Sequence, residues 1–414
     1  VMSDFNCELP DYSSEMDRLM KYMVAVSQRL APNRLYLDNS SCGTQRYGDL
    51  TSFHPYLQLN RFADAAEMFV KNRGRERPMV FGEYADTDSV RDTNSIRELC
   101  GGRLPWWWQR FGITDPFETL KQQGISDEEI AEITRVSVLN AQEAKKYYIE
   151  ETKKNPDVAA LFITHKNDIG STIPGFFDEL GMFRFDADEL SRSARENVLL
   201  LDIDSFNQRA GEDITASLML APNRAKSVTD GALSWKLCGV DGSVIASGES
   251  GADVAAENSR LRLARLKTLH FKAPETAKPI WLRLIAEFRC REFSTDNAWN
   301  LWVYPMSLAT GKGLAIYDPS DTLKLAKYYP DAMFMVDGKV PENAKAVLAI
   351  AITPQIDEYL RNGGTLLYVG AGSEYLPVSK VYNWNAYSMP FIPASAAPVL
   401  GGVGERRFGC LDFL

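Results

Sequence analysis

Short apolar runs alternate with segments of helical periodicity over the first 195 residues, a pattern typical of β/α units around a parallel sheet. This pattern predicts five strands, at residues 1–5, 34–38, 50–54, 78–83 and 158–164. Ser14 and Asp17 suit a capping box and predict a helix after the first strand. The apolar residues of that helix recur at near-helical spacing: Met16, Leu19, Met20, Met23, Val24 and Leu30. We expect this apolar face to pack against the sheet.

Five parallel β/α units cannot close an eight-stranded barrel. The first predicted strand also begins at residue 1. We therefore predict that residues 1–195 are the C-terminal half of a (β/α)8 TIM barrel, and that about three β/α units precede them.

The pattern changes after residue 195. Strands punctuated by turn signals predict an immunoglobulin-like β-sandwich over residues 196–306, with strands at 198–203, 214–221, 232–238, 261–271, 281–288 and 301–304. From 307 to 380, four apolar runs that begin at Gly313, Asp331, Ala346 and Thr365 alternate with helical stretches, which predicts a small doubly wound α/β domain. Residues 381–414 are rich in Pro, Gly and aromatics and are interpreted as the start of a further module or a linker.

Composition narrows the functional classes. The chain has 414 residues, 45% hydrophobic and 24% charged, which is typical of globular domains. A net charge of -9 without a basic run argues against nucleic acid as a partner. No apolar stretch is long enough to predict a membrane span in this segment. Six dispersed cysteines and three histidines argue against a metal site.

Two glutamates stand where a parallel barrel places its chemistry, at the C-terminal ends of strands. Glu8 follows the first predicted strand, and Glu83 ends the fourth. Cleavage of a glycosidic bond needs one carboxyl group to protonate the leaving oxygen. It needs a second to attack the anomeric carbon or to direct water at it. The sequence therefore predicts a glycosidase pair.

Four motifs, in this order, resemble the strand ends of family 2 glycoside hydrolases of the β-galactosidase and β-glucuronidase kind. Residues 1–10 (VMSDFNCELP) resemble the strand-4 motif, 37–43 (LDNSSCG) the strand-5 end, 53–56 (FHPY) the strand-6 end and 80–84 (VFGEY) the strand-7 nucleophile motif. Further on, 164–168 (THKND) is similar to the strand-8 region and 297–305 (NAWNLWVYP) to the end of the sandwich that follows such barrels. Residues 356–365 resemble a glutamine-amidotransferase-like, flavodoxin-like accessory domain, for which we expect no catalytic role.

This resemblance implies a retaining exo-β-glycosidase without an organic cofactor, acting on terminal β-linked galactosides or glucuronides. In it, Glu8 would be the general acid/base and Glu83 the nucleophile. The candidate substrate-binding residues are Asn6, Asn39, His54, Tyr56, Tyr84, Trp107, Lys166 and Asp168. Trp107 is the middle one of three adjacent tryptophans, of which we expect at least one to lie in the core. For Lys166 and Asp168, a loop salt bridge is an equal alternative.

One position departs from the family. Cys7 stands where the family has the Asn that binds the 2-hydroxyl of the sugar, and strand alternation points Asn6 to the other face. A catalytically impaired, carbohydrate-binding relative is therefore the alternative function, and a structural scaffold is the third. The expected partner is an oligo- or polysaccharide. A homo-oligomer is left open, and the substrate class favours a periplasmic or secreted location.

Overall fold

The structure is a computed structural model, and it describes most of the chain up to residue 369. The described residues are 14–38, 46–55, 62–63, 67, 77–85, 87–110, 115–122, 124–168, 173–223, 227–255, 263–306, 311–327 and 329–369. The predicted strand at 1–5 and the predicted module at 381–414 lie outside them. Two compact units divide at Tyr304 and Pro305. The chain is thus multi-domain, and both units contain β-sheet.

Three parallel strands form the sheet at the start of the first unit. They are β1 (Thr51–Phe53), β2 (Met79–Tyr84) and β3 (Val158–Ile163), hydrogen-bonded in that order. Three of the five predicted strands are thereby confirmed. Between β2 and β3 the described residues form four helices: α2 (Thr93–Leu99), α3 (Trp106–Arg110), α4 (Pro116–Gln122) and α5 (Asp127–Lys154).

The long helix α5 covers this sheet. It begins at a capping box in which Ser126 and Glu129 satisfy each other's backbone N–H groups. Its residues Ala144 and Tyr148 pack with Phe81 and Tyr84 of β2 in one hydrophobic core. Burial of these aromatic rings fixes the position of β2, and therefore of the residues at its C-terminal end.

Two expectations for the region before β1 are wrong. Residues 34–38 form no strand, because carboxylates take up backbone N–H groups that a sheet ladder would use. Asp38 accepts from the N–H groups of Arg46 and Tyr47 at 2.7 Å each, and Asp49 accepts from that of Tyr36 at 2.9 Å.

The predicted helix exists as α1, although the packing predicted for its apolar face is wrong. This helix spans Ser14–Leu30. Leu19, Met23 and Leu30 are exposed by 49%, 53% and 75%, whereas Val24 is buried.

Residues after the parallel sheet form a sandwich of two sheets, preceded by α6 (Ala187–Ala194). Its strands are β4 (Val198–Ile203), β5 (Asn207–Arg209), β6 (Asp213–Ala221), β7 (Ala232–Cys238), β8 (Val244–Gly251), β9 (Ala264–Lys272), β10 (Ile280–Arg289) and β11 (Ser294–Tyr304). One sheet has the order β5-β11-β10-β7-β8 and the other β4-β6-β9. Apolar residues of both sheets, such as Leu218 and Leu284, share one core. All six predicted sandwich strands are confirmed, while β5 and β8 were not predicted.

A buried polar network joins α5 to the sandwich. Glu150 accepts hydrogen bonds from the Asn297 Nδ2 and Trp299 Nε1 groups, at 2.8 Å each. Lys146 forms an ion pair with Glu150 and donates to Asn297 Oδ1 at 2.7 Å. Asn297 also donates to the Leu199 carbonyl at 2.7 Å. We call these four side chains, Lys146, Glu150, Asn297 and Trp299, the α5 network.

The described residues of the second unit form four parallel strands in the order β13-β12-β14-β15. They are β12 (Leu314–Tyr317), β13 (Met333–Phe334), β14 (Ala346–Ala349) and β15 (Leu366–Tyr368), with α7 (Pro354–Arg361) between the last two. These strands confirm the four predicted from the apolar runs. Asp318, directly after β12, accepts from the N–H groups of Thr322 and Leu323. None of the helices in the described part of the chain is long and apolar enough to cross a membrane.

Candidate active site

Ionisable side chains meet at the edge where the three parallel strands end. His54 follows β1, Glu83 lies near the end of β2, and His165 is the second residue after β3. The three strands run in the same direction, so their C-terminal ends share one edge. His54 Nδ1 lies 3.5 Å from Glu83 Oε2, and the Glu83 side chain is half exposed while that of His54 is largely buried. The carboxylate is therefore accessible from outside and is held from one side by an imidazole.

Gly82 makes this approach of His54 sterically feasible. A Cβ atom at position 82 would lie 2.6 Å from Ser52 Oγ and 3.0 Å from His54 Nε2. Neither separation is one that a real Cβ atom adopts without displacing its neighbour. The glycine before Glu83 thus leaves the space that the His54 ring occupies.

The surroundings of both imidazoles at this edge favour the neutral form. Burial lowers the pKa of His54 below its ordinary value, and the negative charge of Glu83 opposes that effect. Burial also lowers the pKa of His165; Glu83 and Asp88 act to raise it, and the positive charge of Lys145 lowers it further. A neutral imidazole can donate or accept a hydrogen bond at an accessible ring nitrogen, which suits contact with a hydroxyl-rich ligand.

Behind the edge lies a lysine without solvent exposure. Lys145 of α5 is fully buried and donates to the Ala85 carbonyl at 3.0 Å. Ala85 has a left-handed backbone (φ 60°). The carbonyl of the preceding residue, Tyr84, accepts a hydrogen bond from the Thr164 N–H at 3.1 Å. Burial raises the pKa of nearby Asp88, while Lys145 and two arginines oppose that shift. The chain just beyond Glu83 is thus held by α5 and by the end of β3.

Tyr84 was expected to bind substrate, but the structure places its side chain in the core. The side chain is fully buried and stacks on Phe62, with ring centroids 6.0 Å apart. Tyr84 shares this core with Phe81, and the pairing of β2 with β3 shifts register between these two residues. Glu83, between them, stays half exposed.

Lys166 and Asp168 lie in different environments. Lys166 is exposed, and Asp168 is buried in an ion pair with Arg184 at 3.1 Å. Asp168 also accepts from the Gly175 N–H at 2.8 Å, so it closes the loop after β3. Desolvation raises the pKa of Asp168 to about 6, against the opposing charge of Arg184. The loop-stabilising alternative fits this placement of Asp168.

The three tryptophans of α3 have different environments. Trp107 and Trp108 both donate their Nε1–H to Glu179 Oε2, at 2.9 and 2.6 Å. Glu179 is buried and its other oxygen lies 2.8 Å from Arg91 Nε. Trp108 lies in the core, as expected for at least one of the three, whereas Trp106 is 69% exposed. Trp107 is half-buried, and its indole N–H is engaged within the protein.

The remaining candidates are not described. Glu8, Asn6, Asn39 and Tyr56 lie outside the described residues, as does Cys7. Sequence reasoning did not select His165, although its position just after a predicted strand was a usable signal. The described residues contain no group of three His, Cys, Asp or Glu side chains arranged to hold a metal ion.

The geometry defines a carboxylate flanked by histidines at the edge of a parallel sheet, in a chain that also carries a β-sandwich. Residues 212–305, within the sandwich, match a family described as a domain of unknown function, DUF8488. No curated protein matches the chain.

Similar solved structures include exo-glycosidases. The exo-chitosanase CsxA of Amycolatopsis orientalis aligns at 11% identity with a TM-score of 0.37, over 61% of this chain and 30% of the other. A β-glucuronidase of Bacteroides uniformis aligns at 11% identity with a TM-score of 0.27, over 72% and 32%. The chain thus spans about a third of the length of either protein. Alignments this loose carry no argument about its activity.

Proposed function

We propose that this chain carries the second half of the catalytic barrel of a retaining exo-β-glycosidase, with Glu83 as the nucleophile. The observation that carries the proposal is the position of Glu83, accessible at the C-terminal edge of the parallel sheet with His54 at 3.5 Å. A nucleophilic carboxylate must reach the anomeric carbon, which requires an accessible oxygen at the mouth of the site. Glu83 meets that requirement, whereas Asp168 and Glu179 are buried in internal contacts.

In the proposed reaction, a carboxylate oxygen of Glu83 attacks the anomeric carbon while Glu8 protonates the departing glycosidic oxygen. A covalent glycosyl-enzyme forms, and water hydrolyses it with Glu8 now acting as the base. His54 orients the carboxylate of Glu83 and, being neutral, can bond a sugar hydroxyl. The assignment of Glu8, the barrel and the preference for galactosides or glucuronides rests on the family-like motifs of the sequence.

The first experiment is turnover of aryl β-glycosides by the full-length protein and its Glu83→Gln variant. We expect the variant to lose turnover, because the amide is a poor nucleophile. A slow 2-deoxy-2-fluoro glycoside should add one sugar mass to the peptide that contains Glu83. Glu98→Gln, at an exposed carboxylate on α2, is the matched control and should retain activity. Unchanged turnover in Glu83→Gln would exclude Glu83 as the nucleophile.

The second candidate function is a carbohydrate-binding relative with impaired catalysis, which the residue Cys7 favours. A thiol is a weak hydrogen-bond partner where the family has an amide. If one transition-state contact is missing, Cys7→Asn should raise kcat/KM for 2-hydroxy glycosides by about ten- to hundredfold and leave 2-deoxy substrates unchanged. Sugar binding without turnover in both proteins would support the binding function.

A further inference from the structure

A fully buried lysine close to the site needs a physical explanation. Lys145 has no exposed surface, and a buried ammonium group is stable only where neighbouring groups compensate for its lost hydration. Its Nζ atom donates to the Ala85 carbonyl at 3.0 Å and lies 5.4 Å from the centroid of the Phe176 ring. These contacts orient the ammonium group toward the turn that follows Glu83.

Two properties of the active edge depend on this ammonium group. The first is geometric, since Ala85 is two residues beyond Glu83 and has a left-handed backbone that needs support from its surroundings. The second is electrostatic, since Lys145 acts on His165, which is also influenced by Glu83 and Asp88. Asp88 in turn interacts with Arg91 and Arg184.

We propose that Lys145 is a positioning residue: by holding the Ala85 carbonyl, it fixes the turn after Glu83 and with it the orientation of the Glu83 carboxylate. The proposal rests on the proposed role of Glu83 for its effect on turnover. The effect of the Lys145 charge on the titration of His165 does not depend on any enzymatic activity. Because Lys145 is fully buried, it acts through other residues and does not touch a substrate.

The test is Lys145→Met, with Lys153→Met as the matched control. Lys153 lies on the same helix and likewise donates to a backbone carbonyl, that of Arg195, at 3.0 Å. The sequence contains three histidines, so NMR titration of their ring C–H groups can be assigned by single substitutions. In Lys145→Met, we expect the titration of His165 to move to higher pH, because a nearby positive charge has gone. The exposed His270 should not change, and neither histidine should change in Lys153→Met.

Activity gives the second measurement. We expect kcat in Lys145→Met to fall by about ten- to hundredfold, with a smaller change in KM. Lys145→Arg keeps the charge and should keep the wild-type titration of His165. If Lys145→Met does not fold, Lys145→Gln also removes the charge but keeps a hydrogen-bond donor. We expect the titration of His165 to move to higher pH in that variant too.

Wild-type kcat in both neutral variants, Lys145→Met and Lys145→Gln, overturns the proposal. A shift of His165 with kcat unchanged also overturns it, because positioning of Glu83 would then have no effect on the reaction. If the wild-type protein hydrolyses no glycoside, the proposed function fails. The His165 titration then decides the electrostatic role of Lys145 alone.

Discussion

Loss of the Glu150 carboxylate should destabilise the first unit more than loss of any exposed carboxylate on α5. Both oxygens of Glu150 accept hydrogen bonds, and its partner Lys146 has a side chain only 6% exposed. Glu150→Leu therefore leaves an uncompensated buried ammonium group, which costs about 3–5 kcal/mol. The donors on Asn297 and Trp299 also lose an acceptor, although Asn297 keeps the Leu199 carbonyl.

A double-mutant cycle separates the ion pair from the rest of the network. In Lys146→Met/Glu150→Leu the unpaired charge is gone, so we expect the double variant to be more stable than Glu150→Leu alone by about 1–3 kcal/mol. Glu132→Leu is the control, because Glu132 pairs on the surface with Arg135 and should contribute about 0–1 kcal/mol.

The assay is urea unfolding followed by tryptophan fluorescence, since Trp299 belongs to the network. The free energies of unfolding of wild type, both single variants and the double variant complete the cycle. A loss below about 1 kcal/mol in Glu150→Leu, or single effects that simply add, would refute the claim that the buried ion pair acts as a unit.

Two further predictions concern the active edge. Gly82→Ala places a methyl group against Ser52 and His54, so it should lower kcat by displacing His54. Circular dichroism should show an intact fold. Wild-type activity in this variant would mean that the position of His54 does not depend on the space beside Gly82. Because the folded state lowers the pKa of His165, the unfolded chain binds a proton first on acidification, and the free energy of unfolding should fall as pH drops below about 6.5. In His165→Gln, the free energy of unfolding should fall less on acidification than in wild type or in the control His270→Gln. Urea unfolding at several pH values measures this difference. Equal pH dependence in all three proteins would contradict the lowered pKa of His165.

The strands that the sequence predicts well are those with strong apolar patterns. β2 is an apolar run bounded by Pro78, and β4 contains four consecutive buried apolar residues, so both are recognisable without tertiary information. β5 is the tripeptide Asn-Gln-Arg, and β8 is an edge strand whose glycines and serines carry a weak β signal. Such strands form because a neighbouring strand supplies the hydrogen bonds, which is information that local sequence does not contain.

The candidate site was predictable to a similar extent. The strand end indicated Glu83, because parallel strands place their C-terminal residues together. The resemblance of residues 53–56 to a family motif indicated His54. Alternation along β2 could not assign both Phe81 and Tyr84 to one core, because the pairing of β2 with β3 shifts register between them. Lys145 could not be found in this way, since it lies 60 residues from Ala85 in sequence and on a helix. Glu179 and its two tryptophan donors are likewise brought together by packing over more than 70 residues.

The α5 network also constrains how this protein can change over evolutionary time. The segment that matches a family, residues 212–305, includes Asn297 and Trp299 but neither Lys146 nor Glu150. A recombination event that exchanged only that segment would bring in polar groups without their partners, or leave the helix charges facing unrelated side chains. We therefore expect the residues at these four positions to be inherited and replaced together. Recombination should then transfer α5 and the sandwich as a single segment.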